Sequence, residues 1–295
     1  MNNSKILFVM PTLKKDGAEV QIANLISYFK HFQIDIFTFD LYKEGDSIIN
    51  QLDGIKIYTN HGLSTIVSLN KVINENNYKI VHSHLPKADF YVGLLKFFGN
   101  KFNHIITVHA QYGDRTGESK IKYFIFNIFW KVFLNKSDGI IAISQKINKW
   151  LTNNKSIDEN KIATIHYGIK IDKQIKKINN KKIVGMAARM LPWKGWDKVI
   201  ETASILNELN PNYKFLLAGS DDQNYKSELQ DLIENKNLVD RNNVQEIANL
   251  INSIFSSDEL LNKIQIKQKN KIVKEFSIIS TAKKYENYYI NLLNN

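Results

Sequence analysis

The sequence predicts an α/β fold, built from short parallel strands that alternate with helices and divided into two units. Three observations carry this reading. Through the first half, short β-branched runs alternate with longer amphipathic stretches, and such alternation argues for a parallel sheet covered on both faces. A polar, lysine-rich stretch, residues 170–182, interrupts the alternation, which then resumes. The chain has 295 residues, a length suited to about two domains of 100–200 residues each.

In order, residues 6–10 read as a strand, 18–29 as a helix, 34–39 as a strand and 64–74 as a helix capped by Ser64. Strands at 80–83, 105–108 and 140–143 follow, interleaved with helices at 89–98, 120–134 and 145–151. In sheets of this kind ligands sit beyond the carboxyl ends of the strands. The second unit offers a strand at 183–187, a helix at 196–209, a strand at 215–218 and a helix at 225–233. After Asn235 no strand is expected, and 244–255, 259–276 and 281–293 read as helices. Two strands are few for a separate α/β unit, because parallel sheets need partners to bury both faces.

Composition narrows the function classes. Hydrophobic content of 43% excludes a disordered chain. The formal net charge of +11, with a pI near 9.4, suggests acidic partners such as phosphates or anionic lipid head groups. The lysines are spread along the chain without a recognition module, so nucleic acid is not an expected partner. There are no cysteines, which excludes disulfides, thiolate metal sites and a cysteine nucleophile. The apolar run before Pro11 is too short for a signal-peptide core, and no stretch reaches the roughly 18 apolar residues that span a membrane. A cytoplasmic protein is expected, with peripheral contact at the inner face of an anionic membrane.

Four places carry candidate chemistry. Gly17 stands where the first strand turns into a helix, where backbone can approach a phosphate and helix amides can bind it; for a single glycine a plain turn into a surface helix is the preferred reading. Arg189 follows the strand 183–187, with Lys194 and Gly195 beyond it, and an arginine fork and a lysine charge suit phosphate oxygens. His82 and His84 close one strand and point to the same side, and His109 closes another. No carboxylate or cysteine completes a metal set around them, so no metal is expected. The aromatic segment 121–134 suits either a membrane interface or burial against a sheet, and burial is the reading adopted.

Together these pieces resemble the GT-B retaining glycosyltransferases of the family 4 type, from the first strand to about Asp222. Phe8-Val9-Met10-Pro11 with Asp16-Gly17-Ala18-Glu19 resembles the opening strand and its Gly-Gly-Ala-Glu turn, Asp16 replacing a glycine. Val81-His82-Ser83-His84-Leu85 resembles the His-x-His strand end, and Ile106-Thr107-Val108-His109 the strand ending in the active-site histidine. Ile141-Ala142-Ile143-Ser144 resembles the strand before a serine-capped helix. Ile165-His166-Tyr167-Gly168-Ile169 resembles the Asn-Gly-Ile segment, Tyr167 replacing Asn. Gly185-Met186-Ala187-Ala188-Arg189 with Lys194-Gly195 resembles the donor-phosphate motif, and Leu216-Leu217-Ala218-Gly219 the next strand.

The resemblance implies two Rossmann-like domains facing a cleft: 1–172 on the acceptor side, 181–275 binding the donor, and 276–295 as a helix packing back on the first domain. It implies a nucleotide-sugar donor, a glycan or lipid-linked acceptor, and no cofactor. Arg189, Lys194 and the backbone at Gly17 would hold the donor phosphates, and His109 would be catalytic beside the transferred sugar. His84 and Glu19 would be acceptor or sugar contacts. The pattern breaks in the second domain. The family's Glu-x7-Glu motif has no counterpart, since Glu228 and Glu234 lack its spacing and setting, and Asn237-Leu238-Val239-Asp240 already resembles sequence well beyond it. The expectation is a second domain shortened by on the order of 60 residues, about two βα units. The alternative left open is a non-catalytic relative acting as a binding or partner protein. A sugar-nucleotide epimerase of the same fold suits Arg189 and Lys194 less well.

Overall fold

The computed structural model describes residues 4–42, 45–60, 62–112, 120–171, 182–221, 224–235 and 241–294. Its strands are β1 Ser4–Met10, β2 Phe32–Thr38, β3 Ile57–Thr59, β4 Ile80–His84, β5 Asn103–Val108, β6 Gly139–Ala142, β7 Ile162–Thr164, β8 Ile183–Ala187 and β9 Lys214–Ala218. Its helices are α1 Gly17–Ile26, α2 Thr65–Glu75, α3 Pro86–Phe97, α4 Lys120–Lys136, α5 Gln145–Lys155, α6 Trp196–Leu209, α7 Tyr225–Asn235, α8 Arg241–Phe255, α9 Asp258–Glu275 and α10 Ile278–Asn294. The chain separates into two compact units, Met1–Ile171 with Lys271–Asn295, and Asp172–Asn270. Most of the expected linker, 172–181, and the segment 236–240 lie outside the described residues.

The first unit holds a seven-stranded sheet in the order β3-β2-β1-β4-β5-β6-β7, every pair parallel. Successive side chains of a strand face opposite ways, and that period assigns the core. Ile6, Phe8, Ile34, Ile80 and Ile105 face α1 and α10. Leu7, Val9, Phe37 and Val81 face α2 and α3. Further along, Ile106, Val108 and Ile140 meet Trp130 and Leu134 of α4 and Leu151 of α5. The expected α/β class with a parallel sheet is therefore present. Two strands are additional, β3 and β7; each has three residues, too few to display alternation.

One capping expectation is corrected. Ser64 precedes α2 but makes no cap bond, and its backbone is already helical, continuing a one-turn helix at Gly62–Ser64. Its hydroxyl donates instead to Asn60 Oδ1 at 3.0 Å. Ser144 does cap α5, accepting from the Ile147 amide.

The C-terminal helix α10 closes one face of this unit. Glu286 accepts the backbone amides of Lys30 and His31, each at 2.6 Å. The Ile169 amide donates to the Phe276 carbonyl at 2.7 Å, and the Ile278 amide to the Ile169 carbonyl at 3.0 Å. Gly168 makes this approach feasible: a β-carbon there would lie 2.5 Å from Ile278 Cα and 2.9 Å from Thr281 Oγ1.

The second unit has a two-stranded parallel sheet, β8 beside β9. Val184 and Phe215 pack on Ile205, Leu206, Val244 and Ala248, while Met186 and Leu217 pack on Trp196, Ile200 and Leu229. The alternate residues face outward, with Ile183 44% and Leu216 67% exposed. No described helix is long and apolar enough to cross a membrane.

Candidate functional site

In the first unit the chain runs β1, β2, β3 to one side and then returns to place β4 on the other side of β1. Strand order reverses there, and in open parallel sheets such a switch point opens a crevice at the carboxyl ends of the strands. Three sequence-derived candidates converge on it. Glu19 lies in the first turn of the helix after β1, His84 ends β4, and His109 follows β5.

The histidines form a linked set. His82 and His84 stack with ring centroids 4.2 Å apart, as two residues on the same side of one strand must. Both His82 nitrogens are engaged, Nδ1 with Tyr289 Oη at 2.8 Å and Nε2 with Thr107 Oγ1 at 2.7 Å, so His82 is a satisfied core residue. His84 Nδ1 meets His109 Nε2 at 3.2 Å, and His109 Nδ1 meets Tyr167 Oη at 2.5 Å. His84 Nε2, although buried, has no hydrogen-bond partner among the described residues.

Burial sets the protonation of these rings. Desolvation disfavours the imidazolium form. It lowers the His109 pKa to about 3 and holds His82 and His84 well below the ordinary histidine range. Each neutral ring then has one donor and one acceptor nitrogen. If Tyr167 donates to His109, His109 donates to His84, and His84 Nε2–H is left without an acceptor. If the chain runs the other way, His84 Nε2 is a bare acceptor. Either direction leaves one polar atom of the set without a partner among the described residues.

Glu19 is buried at 3% exposure. Desolvation raises its carboxyl pKa, and the hydrogen bond from its own backbone amide opposes the rise. The Tyr167 phenol is pushed up in turn, mainly by burial, then by Tyr285 and by Glu19. A small open pocket lies against this group, lined by His109, Tyr167, Gly168, Gln21, Ile22 and Tyr285 among others. Gly17 begins α1 after an extended Asp16 that makes no side-chain cap bond. A β-carbon at Gly17 would meet no protein atom within 4 Å, so packing within the chain does not demand glycine there.

Arg189 and Lys194 belong to the second unit. Both are exposed and lie on the loop between β8 and α6. Trp196 Nε1 donates to the Arg189 carbonyl at 2.9 Å. The Ala188 amide donates to the Ala218 carbonyl at 3.0 Å, and the Met190 amide to the Ser220 carbonyl at 2.8 Å. The loops after both strands are thereby knitted together, and a β-carbon on Gly219 would collide with the Ala188 carbonyl oxygen. Gly195 takes a left-handed conformation, φ +79°, and begins α6 with no side-chain cap. Two cations beside uncapped helix amides make a place suited to an anion.

Tyr167 and Tyr285 are absent from the sequence-derived site set. The one signal for Tyr167 was its replacement of the Asn that the resemblance leads one to expect. Asp89 was also absent. It accepts from Ser83 Oγ at 2.7 Å and Trp130 Nε1 at 3.0 Å, and burial pushes its pKa up to about 7 despite both bonds. Trp130 packs edge-on against Tyr112 at 5.3 Å, and the His109 amide donates to Tyr112 Oη at 3.3 Å. This network, buried at Ser83, Asp89 and Trp130 and half-buried at Tyr112, braces the loop that carries His109.

The family model described as Glycosyltransferase Family 4 matches residues 15–173, and that described as Glycosyl transferases group 1 matches residues 169–240. The poly(ribitol-phosphate) alpha-N-acetylglucosaminyltransferase of Staphylococcus aureus is 32% identical over 140 residues, covering 47% of this chain and 26% of that protein. A crystal structure of a glycosyltransferase from Rickettsia africae has a TM-score of 0.80 at 18% identity, covering 100% of both chains. Anabaena HepE in complex with UDP-glucose has a TM-score of 0.74 at 14% identity, covering 97% of this chain and 99% of that one. At these identities the structural likeness is one of fold, and the fold is GT-B. The chain spans 66%, 26% and 40% of the length of the curated relatives it matches.

Proposed function

The chain belongs to Glycosyltransferase Family 4, and on that premise we propose that it moves a sugar, with retention of configuration, from a nucleotide-sugar to a glycan or lipid-linked acceptor in bacterial surface polysaccharide or lipopolysaccharide assembly. The linked Tyr167–His109–His84 set at the switch point carries this reading. Two of its members, His109 and Tyr167, line an open pocket, and a buried carboxyl, Glu19, acts on Tyr167. Neutral imidazoles can bind sugar hydroxyls as donor or acceptor without an ion's desolvation cost. The S. aureus relative named for poly(ribitol-phosphate) and N-acetylglucosamine, and the UDP-glucose held by HepE, support the substrate classes.

In the proposed reaction the bond from the sugar's anomeric carbon to the diphosphate oxygen breaks first. Positive charge grows on the ring and negative charge on the diphosphate. Arg189 and Lys194, with the α6 amides, stabilise that negative charge, and fixed dipoles aimed at developing charge lower the barrier. The acceptor hydroxyl attacks the same face, and the departing phosphate takes its proton. His109 holds a sugar hydroxyl; Glu19 and His84 contact sugar or acceptor; Gly17 leaves room for phosphate against the α1 amides. The nucleotide-sugar is a substrate, and no resident cofactor takes part in these steps.

A second reading is favoured by the second unit. Its sheet has two strands with an exposed face, and no Glu-x7-Glu motif follows. We read this as an internal deletion, and a non-catalytic relative is the alternative it suggests. One titration separates the readings: calorimetry of the folded protein with UDP-, GDP- and ADP-sugars, repeated with Arg189→Ala. Saturable binding that Arg189→Ala weakens by roughly tenfold to a hundredfold is expected for the enzyme. A folded protein that binds no donor leaves the non-catalytic reading.

A further inference from the structure

We propose that the outer face of the α3–α4 helix pair is a docking surface for an anionic lipid bilayer. The burial expected for 121–134 holds on one face only of its described part, three of the eight residues 127–134 being buried. Trp130, Phe133 and Leu134 are enclosed, while Ile128, Phe129 and Val132 are 49%, 50% and 39% exposed. The neighbouring helix carries a matching stripe: Phe90 is 40%, Phe97 58% and Phe98 74% exposed. A helix ordinarily turns its apolar stripe to the core and its polar residues to water. Here both helices have an apolar inner face and a second apolar outer face.

The two stripes are one patch. Gly93 lets the helices close, since a β-carbon there would lie 2.6 Å from the Phe133 ring. Phe90 packs edge-on against Phe133 at 5.4 Å and against Phe129 at 6.5 Å. A contiguous exposed apolar surface of this kind marks an interaction site.

Charge selects the occupant. Lys131 and Lys136, on the same helix as Ile128, Phe129 and Val132, are exposed. The α4 sequence contains no Asp or Glu, and the one acid of α3, Asp89, is fully buried. Aromatic and aliphatic side chains flanked by lysines, with no exposed acid on either helix, match the boundary of acyl chains and anionic head groups. A protein partner would meet unopposed like charge unless it were acidic.

The test needs neither donor nor acceptor, and so stands apart from the transferase reading. The full chain is floated with vesicles of phosphatidylcholine alone or mixed with phosphatidylglycerol, at low and high salt. Binding is expected only to the mixed vesicles and falls with added salt. Phe97→Ser with Phe98→Ser removes exposed side chains, so the fold survives, as circular dichroism will show. That pair, and separately Lys131→Glu with Lys136→Glu, are each expected to weaken partitioning by roughly tenfold or more. Three results overturn the proposal: no binding of the folded chain to mixed vesicles, binding that both variant pairs retain, or light scattering showing a dimer that the phenylalanine pair dissolves, which makes the patch a contact between copies.

Discussion

The two sheets follow the same strand–helix grammar and end in different states. In the first unit β4 is enclosed along its whole length, and β1 from Ile6 onward. In the second, every other residue of β8 and β9 is exposed. A parallel strand needs a layer on each face. Seven strands offer enough surface for helices on both sides, whereas two strands carry helices on one. The chemistry divides likewise. All seven histidines lie before residue 167, where burial holds four of them neutral. Arg189 and Lys194, on the second unit, remain exposed. Enclosure makes neutral donors and acceptors, and exposure preserves charge.

The strongest way to break this comparison is core truncation. Phe8→Ala, at a site with no exposure touching both His82 and His84, is expected to cost about 3–5 kcal/mol in urea unfolding. A loss near zero would show that the first core is not tightly packed.

Acid comes next. Folded His104 and His109 have pKa values near 3, against about 6.5 unfolded. Between those values the unfolded chain binds more protons, so their contribution is complete above about 6.5 and is lost as pH falls. Asp89 opposes them. Its folded value near 7 exceeds an unfolded value of about 3.9, so its contribution is complete below that and is lost as pH rises through 7. Four lowered histidines, His82 and His84 included, outnumber the two raised acids, Asp89 and Glu19, so a net loss of stability is expected on acidification below about 6.5. Unfolding curves between pH 7 and 5 measure this slope, and Asp89→Asn should steepen it.

Third is the division of labour. Tyr167→Phe is expected to lower kcat by about tenfold with donor affinity changed less than about twofold, the reverse of Arg189→Ala. Equal effects on both quantities would mean that the histidine set merely supports donor binding. The smallest effect is expected at Leu216. Leu216→Lys on the exposed face should change stability by no more than about 0.5 kcal/mol, and a large loss would show that this face is covered.

Much of the site was legible in the sequence because strand ends are. His84 and His109 each end or follow a β-branched run, at the carboxyl end of a parallel strand where a ligand can sit, whereas Glu19 came only from the resemblance of its turn. The spacing of His82 and His84 also gave their shared side, since a strand's period is two. It did not give their different fates. His82 bonds Tyr289, 207 residues away, and Thr107 on the next strand, while His84 keeps a nitrogen without a partner among the described residues. Nor could the helical period of 121–134 distinguish one apolar face from two, because the answer depends on what packs alongside.

By itself the sequence determined the α/β class, the order of its elements and the placing of candidate residues at strand ends, because each rests on periodicity over a few neighbouring residues. Only the tertiary structure decided that Tyr167 meets His109 across 58 residues, that α10 seals the face beside them against Gly168, and that Phe129 points outward while Trp130 points in. Those outcomes rest on strand order and on which layers find a partner, and contacts between distant segments leave no local pattern to read.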